Sequence, residues 1–391
     1  MVRYDWLVVG AGFSGATLAE RIASQLDQRV LIVDRREHIG GNAYDSLDEA
    51  GIRVHRYGAH IFHTRSTKVW SYLSQFTDWY PYVHRVKASI DGKLVPLPFN
   101  LESLHALVHP TMARRLEACL LSRFGEGGRV PVLRLMENAN YDLQRLAALV
   151  SDQVFDNYTR KQWGLRPDEL DRSVTGRVPI VVSRDDRYFG DPHQGMPAGG
   201  YTALFERMLA HPNIDIALGV DHADVQDQVR HDRLVFTGEI DAFFGFAHGP
   251  LPYRSLRFEH RSIDEAEFQP TAVVNHPNEH DYTRIIEHKH FSGGGGDRTT
   301  ITYEYPQDYV RGDNEPYYPV PRQQNHLLYE RYAEDALSLE GKVVFAGRLA
   351  RYRYLDMDQA VSQALVCFRQ QVVPLVTGRP ADAPVAALTG A

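Results

Sequence analysis

The residues most ready to do chemistry in this 391-residue chain are glycines near its start. Gly10-x-Gly12-x-x-Gly15 follows the apolar run Trp6-Leu7-Val8-Val9. It opens a stretch in which Ala16, Ala19, Ile22, Ala23 and Leu26 recur at helical spacing. Gly10 allows a tight turn, Gly12 lets backbone approach a pyrophosphate, and Gly15 lets helix and strand pack closely. The helix start, with Phe13 and Ser14, then offers free N–H groups and a positive dipole end to an anion. Val30-Leu31-Ile32-Val33 reads as a second buried strand ending at Asp34, where an acid can hold a ribose hydroxyl pair. Strand, glycine turn, helix, strand and acid form the full context of a dinucleotide fingerprint.

A second glycine pair extends that site. Gly40-Gly41-Asn42 lies a few residues beyond Asp34 and Arg35, and lets backbone approach a cofactor longer than its adenosine half. Near the other end, Phe345-Ala346-Gly347-Arg348 follows a strand, and Asp356-Met357-Asp358 opens a helix. This arrangement is similar to that of FAD proteins with an amine-oxidase-like fold. Asp356 also reads as a plain helix N-cap, and the two roles are compatible.

The elements that must position these groups follow from periodicity. Residues 83–97 alternate loosely as strands around an Asp91-Gly92 hairpin turn. Residues 101–163 read as helices. Residues 201–209 form a helix, and 214–218 and 234–238 form strands. Alternation in 271–275, 283–291 and 299–305 marks a β-rich block, with Gly293–Gly296 as a hairpin tip. Helices return at 327–337 and 357–372. The fold expected is α/β with α+β insertions: a Rossmann-like FAD-binding domain with an inserted helical domain and an inserted antiparallel β-sheet domain. Segments 1–78, 197–242 and 338–375 make the discontinuous FAD-binding domain. Segment 99–177 is helical, with a substrate lid near 165–178. Segments 79–98, 179–196 and 243–337 make the β-sheet domain, and 376–391 a flexible tail.

Composition narrows the partners. Hydrophobic residues are 43 % and charged residues 24 %, ordinary for a globular chain. A net charge of −7 argues against nucleic acid and anionic membrane as partners. No apolar stretch reaches the roughly 18–20 residues that span a bilayer. Cys119 and Cys367 cannot build a disulfide framework, which fits a reducing cytoplasm. His60 and His63 stand i, i+3, but no further ligands at metal spacing accompany them, and no metal is expected.

Beyond the fingerprint, ordered blocks run from Tyr4 to about Val372. They include His38-Ile39-Gly40-Gly41-Asn42-Ala43-Tyr44, Gly58-Ala59-His60-Ile61-Phe62-His63-Thr64 and Tyr158-Thr159-Arg160-Lys161-Gln162-Trp163-Gly164. Later come Arg177-Val178-Pro179, Tyr282-Thr283-Arg284, Glu315-Pro316-Tyr317-Tyr318-Pro319 and Gly347-Arg348-Leu349-x3-Arg353-Tyr354-Leu355-Asp356-Met357. Together they resemble the bacterial UDP-galactopyranose mutases. The resemblance implies an isomerase that interconverts UDP-galactopyranose and UDP-galactofuranose. In that family N5 of reduced FAD attacks the anomeric carbon and displaces UDP, with no net redox. It also implies an electron donor such as NAD(P)H, a homodimer and a role in making cell-surface polysaccharide.

The resemblance assigns residues as well. Arg177 and Arg284 fall at the diphosphate clamp, suited to bidentate guanidinium. Tyr188, Tyr318 and Tyr354 match hydroxyl donors to the diphosphate. Phe155 and Tyr158 match the uracil stack, Trp163 the sugar–uridine channel and Asn100 a sugar contact, with Thr159 among the substrate-binding residues. His60 lies by the flavin ring in the family. The cofactor side comprises Gly10, Gly12, Phe13, Ser14, Gly15, Asp34, Arg35, Gly41, Asn42, His60, Ile61, Gly347, Arg348, Tyr354, Asp356 and Met357. The His288-Lys289-His290 triplet reads equally well as exposed polar groups on a strand. An FAD-dependent oxidase or dehydrogenase of the amine-oxidase-like class shares the cofactor fold, but leaves the Arg pair and the tyrosines unexplained. A non-catalytic nucleotide-sugar binder would bind UDP without converting the sugar.

Overall fold

The computed structural model describes residues 3–171, 179–225, 228–292 and 296–378. Five strands run parallel in the order Ile214–Leu218, Val30–Asp34, Arg3–Val9, Arg230–Phe236 and Val343–Phe345. A parallel sheet is covered on both faces, so successive side chains enter different cores. Trp6, Val8, Val30 and Ile32 join one core. Leu7, Leu31 and Val33 join the other. The helix Phe13–Leu26 packs on the first face through Ala16, Ala19 and Ile22, beside Val361 and Ala364 of helix Met357–Cys367.

The large sheet has seven strands, in the order Tyr318–Pro319, Tyr253–Ile263, Thr299–Asp308, Arg284–Glu287, Val273–Asn275, Val86–Ile90 and Lys93–Leu97. It is not purely antiparallel: Val273–Asn275 runs parallel to Val86–Ala88. The Val86–Leu97 hairpin arrives by a long connection, so no tight turn dictates its direction. Two further segments expected in this sheet lie elsewhere. Pro179–Val181 pairs with Arg129–Pro131 in the helical region. His193–Pro197 joins Phe62–Thr64 and Trp79–Pro81 in a three-stranded sheet.

The helical layer spans Leu101–Leu107 to Asn157–Trp163 and contributes Leu116, Leu120, Leu143, Leu146 and Val150 to the first core. Its turn Ser151–Asp156 is a π-helix, a wider coil often found at functional sites, and it carries Phe155. Strand Arg284–Glu287 stops four residues short of the expected end. Lys289–Ser292 is helical instead, and neither His288 nor Lys289 is an exposed strand group. His288 bonds Thr302 Oγ1 at 2.7 Å. The Lys289 ammonium donates to the carbonyls of Ala266 and Arg298 at 2.9 and 3.1 Å, which is how a cation can be buried here. Most of the expected glycine tip, residues 293–295, lies outside the described residues. Among the described residues, no helix is long and apolar enough to cross a membrane.

Candidate active site

The glycine turn forms one wall of a cavity of about 1200 Å³. Gly15 must be glycine because a Cβ there would lie 1.9 Å from the Gly10 carbonyl oxygen. Gly41 is pressed likewise, with a Cβ position 3.0 Å from Gly12 Cα and φ +55°. Helix Phe13–Leu26 begins at Gly12 without a side-chain cap, so its first N–H groups remain available to an anion. Phe13, Ser14, Asp34, Arg35, Asn42 and Gly347 line the same cavity. Asp34 accepts from Ala11 N at 2.8 Å and Arg36 N at 2.9 Å, which fixes its carboxylate at the end of the strand. These residues fit an extended dinucleotide: backbone for the pyrophosphate, an acid for a ribose, and a cleft continuing past both.

The cleft is bridged at its rim. Arg35 and Arg36 both reach Glu315, at 2.7 and 3.1 Å. The two guanidiniums outweigh the effect of burial and hold the Glu315 carboxyl below its usual range. Arg36 also lies over the Tyr57 ring at 4.4 Å and donates to Asn42 Oδ1 at 3.0 Å.

A second cavity, about 1080 Å³, is built from side chains. Phe155, Tyr158, Thr159 and Trp163 enter from the helical layer, Arg284 and Tyr318 from the large sheet, and Tyr188 and Tyr354 from loops. Arg284 faces Glu304 across neighbouring strands and bonds its carboxylate through Nη2 at 2.7 Å and Nε at 2.8 Å. Burial works against the Arg284 charge, but Glu304 and the nearby tyrosines outweigh it, so the guanidinium is held firmly protonated. Burial keeps the Tyr158, Tyr188 and Tyr318 hydroxyls protonated and pushes Tyr354 up to about 12. All four are hydrogen-bond donors at neutral pH. Trp163 and Tyr318 stand 6.0 Å apart, and Tyr318 and Tyr354 5.7 Å.

Six residues line both cavities: Asn42, His60, Tyr317, Arg348, Asp356 and Met357. At this junction His60 Nδ1 lies 2.9 Å from the Gly58 carbonyl. A carbonyl only accepts, so Nδ1 carries the proton and Nε2 does not. Burial pushes the His60 pKa down to about 3, leaving the ring neutral. His55 Nδ1 accepts from His60 N at 3.1 Å and fixes the segment from behind. Arg348 donates to the carbonyls of Tyr317 at 3.1 Å and Leu355 at 2.6 Å, and lies over the Tyr318 and Tyr354 rings. Asp356 opens helix Met357–Cys367, its N–H donating to Gln359 Oε1.

Three expectations change. Asn100 lines neither cavity. It is 1 % exposed and caps Leu101–Leu107, accepting from Ser103 N at 3.0 Å and donating to Asp185 O at 3.2 Å. A helix start needs such a partner for its free N–H groups, and that need takes up the side chain. Ile61 and Tyr354, both expected on the cofactor side, line the second cavity and not the first. Arg177 and half of the expected lid, residues 172–178, lie outside the described residues. Glu304 was missed, although a buried acid facing Arg284 across two alternating strands is the kind of cross-strand pair that could have revealed it. Tyr57, Tyr317 and His84 also line the second cavity; Tyr317 stands in a resemblance block without an assigned role, and Tyr57 and His84 carry no sequence signal apart from residue type.

A Rossmann-like nucleotide cleft of flavin type, opening into an Arg- and Tyr-lined chamber, defines a flavin-type nucleotide-binding protein with a second, joined cavity. The family model for a NAD(P)-binding Rossmann-like domain matches residues 8–76. The family model GLF, UDP-galactopyranose mutase, matches residues 153–354. The "Probable UDP-galactopyranose mutase" of Klebsiella pneumoniae is 38 % identical over 364 residues, covering 92 % of each chain. The dTDP-fucopyranose mutase of Escherichia coli is 36 % identical over 375 residues, covering 92 % of this chain and 96 % of its own. The crystal structure of a reduced UDP-galactopyranose mutase has the same fold, with a TM-score of 0.73 at 15 % identity over 96 % of both chains. The chain belongs to the UDP-galactopyranose mutase family.

Proposed function

We propose that this protein interconverts UDP-galactopyranose and UDP-galactofuranose, with FAD in its reduced form in the first cavity and the UDP-sugar in the second. The observation that carries this reading is the junction, where six residues line both cavities. When bound, reduced FAD supplies a nucleophilic ring nitrogen that can hold the sugar while its ring opens and recloses. The chain's own residues do the rest. Arg284, fixed by Glu304, faces the negative charge that grows on UDP as it leaves. Tyr188, Tyr318 and Tyr354 add hydroxyl donors to the same diphosphate, and Phe155 and Tyr158 offer ring faces to the uracil. Thr159 and Trp163 border the channel between. Arg348 places positive charge at the junction, where an anionic reduced cofactor is favoured. Neutral His60 presents an unprotonated Nε2 there and adds no competing cation.

Arg177 is the second half of the clamp in this reading, and the segment near 165–178 closes over bound substrate and keeps water out. The reading also carries a cytoplasmic location, an electron donor such as NAD(P)H and a homodimer. The 36 % identity to the dTDP-fucopyranose mutase supports a second substrate reading, dTDP-fucopyranose, on the same machinery. Family membership favours the mutase over the oxidase reading.

The test is direct. Purified protein, reduced or oxidised, is incubated with UDP-galactofuranose and, in parallel, with dTDP-fucofuranose, and the products are separated by chromatography. Conversion of UDP-galactofuranose by the reduced protein alone is expected. Preference for the dTDP sugar would move the assignment to the second reading. Equal conversion in both redox states would overturn the role given to reduced FAD.

A further inference from the structure

Outside the two cavities, the loop between strands Val273–Asn275 and Arg284–Glu287 gathers His276, Glu279 and His280. One ligand atom from each lies within 4.8 Å of the other two. Among the described residues this is the one such group of three. A second observation points the same way. His276 Nδ1 is buried and has no hydrogen-bond partner. A buried ring nitrogen without a partner is costly, and a bound ion would satisfy it. We propose that these three residues form a site for a divalent transition metal of the zinc class, two imidazoles and one carboxylate leaving a position for water.

The geometry is open but within reach. Tetrahedral ligation at about 2.0–2.1 Å brings ligand atoms to roughly 3.4 Å from one another. Glu279 and His280 are exposed, and the His280 ring leaves its stack on Tyr282, 4.6 Å between centroids, to turn inward. The backbone below is already fixed: Lys161 Nζ donates to His276 O at 2.8 Å, and Asn278 Nδ2 donates to Gln153 O at 3.1 Å. Asn157 adds a bond to Asn278 Oδ1 at 3.0 Å. The loop therefore lies on the helical turns that carry Phe155 and Tyr158, and its two ends are Asn275 and Arg284 of the second cavity. A metal here ties the loop to itself and so stiffens the segment that rests on the helical layer, with no part in bond making. No metal was expected from sequence. The spacing His-x2-Glu-His is short, and the turn of the loop brings the three groups together.

The experiment uses the FAD-loaded full chain, stripped with a chelator and dialysed against Zn²⁺, with bound metal counted per chain. Co²⁺ serves as a spectroscopic probe for ligand field and coordination number. One Zn²⁺ per chain, a tetrahedral Co²⁺ band and a higher melting temperature with metal are expected. His280→Ala and Glu279→Gln, both exposed, should weaken binding at least about tenfold each while flavin content stays unchanged. Equal metal uptake by wild type and the Glu279→Gln/His280→Ala double variant would overturn the site, as would no uptake by wild type. Flavin content and metal content are measured separately, so a failure here is distinguishable from a failure of the mutase reading.

Discussion

The two cavities are made of different material. The first is shaped by backbone: glycines that let main chain meet main chain, and a helix start whose N–H groups are free. The second is shaped by side chains drawn from the helical layer, the large sheet and several loops, with an Arg–Glu pair and eight tyrosines at its wall. A backbone site fails when a single Cβ intrudes. A side-chain site loses one function at a time and keeps its shape.

The sharpest way to break that contrast is Gly15→Ala. Its Cβ falls 1.9 Å from the Gly10 carbonyl, and backbone cannot yield cheaply. The variant should purify without flavin or fail to fold, read from the ratio of flavin to protein absorbance. Retained flavin would show that the turn is softer than its geometry. Next comes Arg284→Ala. Flavin should remain, but turnover should fall at least about 100-fold, as when a preorganised donor to a developing charge is removed. The change also strands the buried Glu304 carboxylate, so stability should fall by about 3–5 kcal/mol. Arg284→Ala that purifies with lost flavin, yet turns over normally per flavin still bound, would dissolve the distinction between the two regions.

Acid probes the packing behind the second region. His55, His84 and His288 are buried, and burial pushes His55 and His84 down to about 3 and His288 well below its usual value. Unfolded histidine takes a proton near 6.5. Between that value and the folded ones the unfolded state binds more protons. Stability is therefore full above pH 6.5 and falls as pH drops, by on the order of 2 kcal/mol each for His55 and His84 at pH 5, with His288 acting in the same direction. Melting temperature measured from pH 7.5 to 5 should show that loss, and a flat profile would contradict the buried, neutral cluster. The smallest effect is expected at Asn100→Ala: about 1–2 kcal/mol of stability from a lost helix cap, with KM unchanged. A raised KM at unchanged stability would return Asn100 to the sugar site.

What was legible in the sequence follows the same division. Gly10, Gly12, Gly15 and Asp34 lie within one short segment, and local rules of strand, turn and helix fix their arrangement. Arg284 and the tyrosines stood out only through resemblance, since nothing local distinguishes a lining tyrosine from a packed one. Glu304 and Asn100 show the limit. Whether a polar side chain faces a cavity, pairs with a partner or caps a helix depends on contacts between distant segments. The parallel pairing of Val86–Ala88 with Val273–Asn275 is likewise set by packing and left no mark in either strand.

The central claim is that the two cavities meet, so that a group bound in one senses the other. Titrating UDP into the FAD-loaded protein while recording the flavin spectrum tests it. A saturable change in the flavin absorbance is expected, lost in Arg284→Ala at unchanged flavin content. UDP binding seen by calorimetry without any change in the flavin spectrum would contradict it.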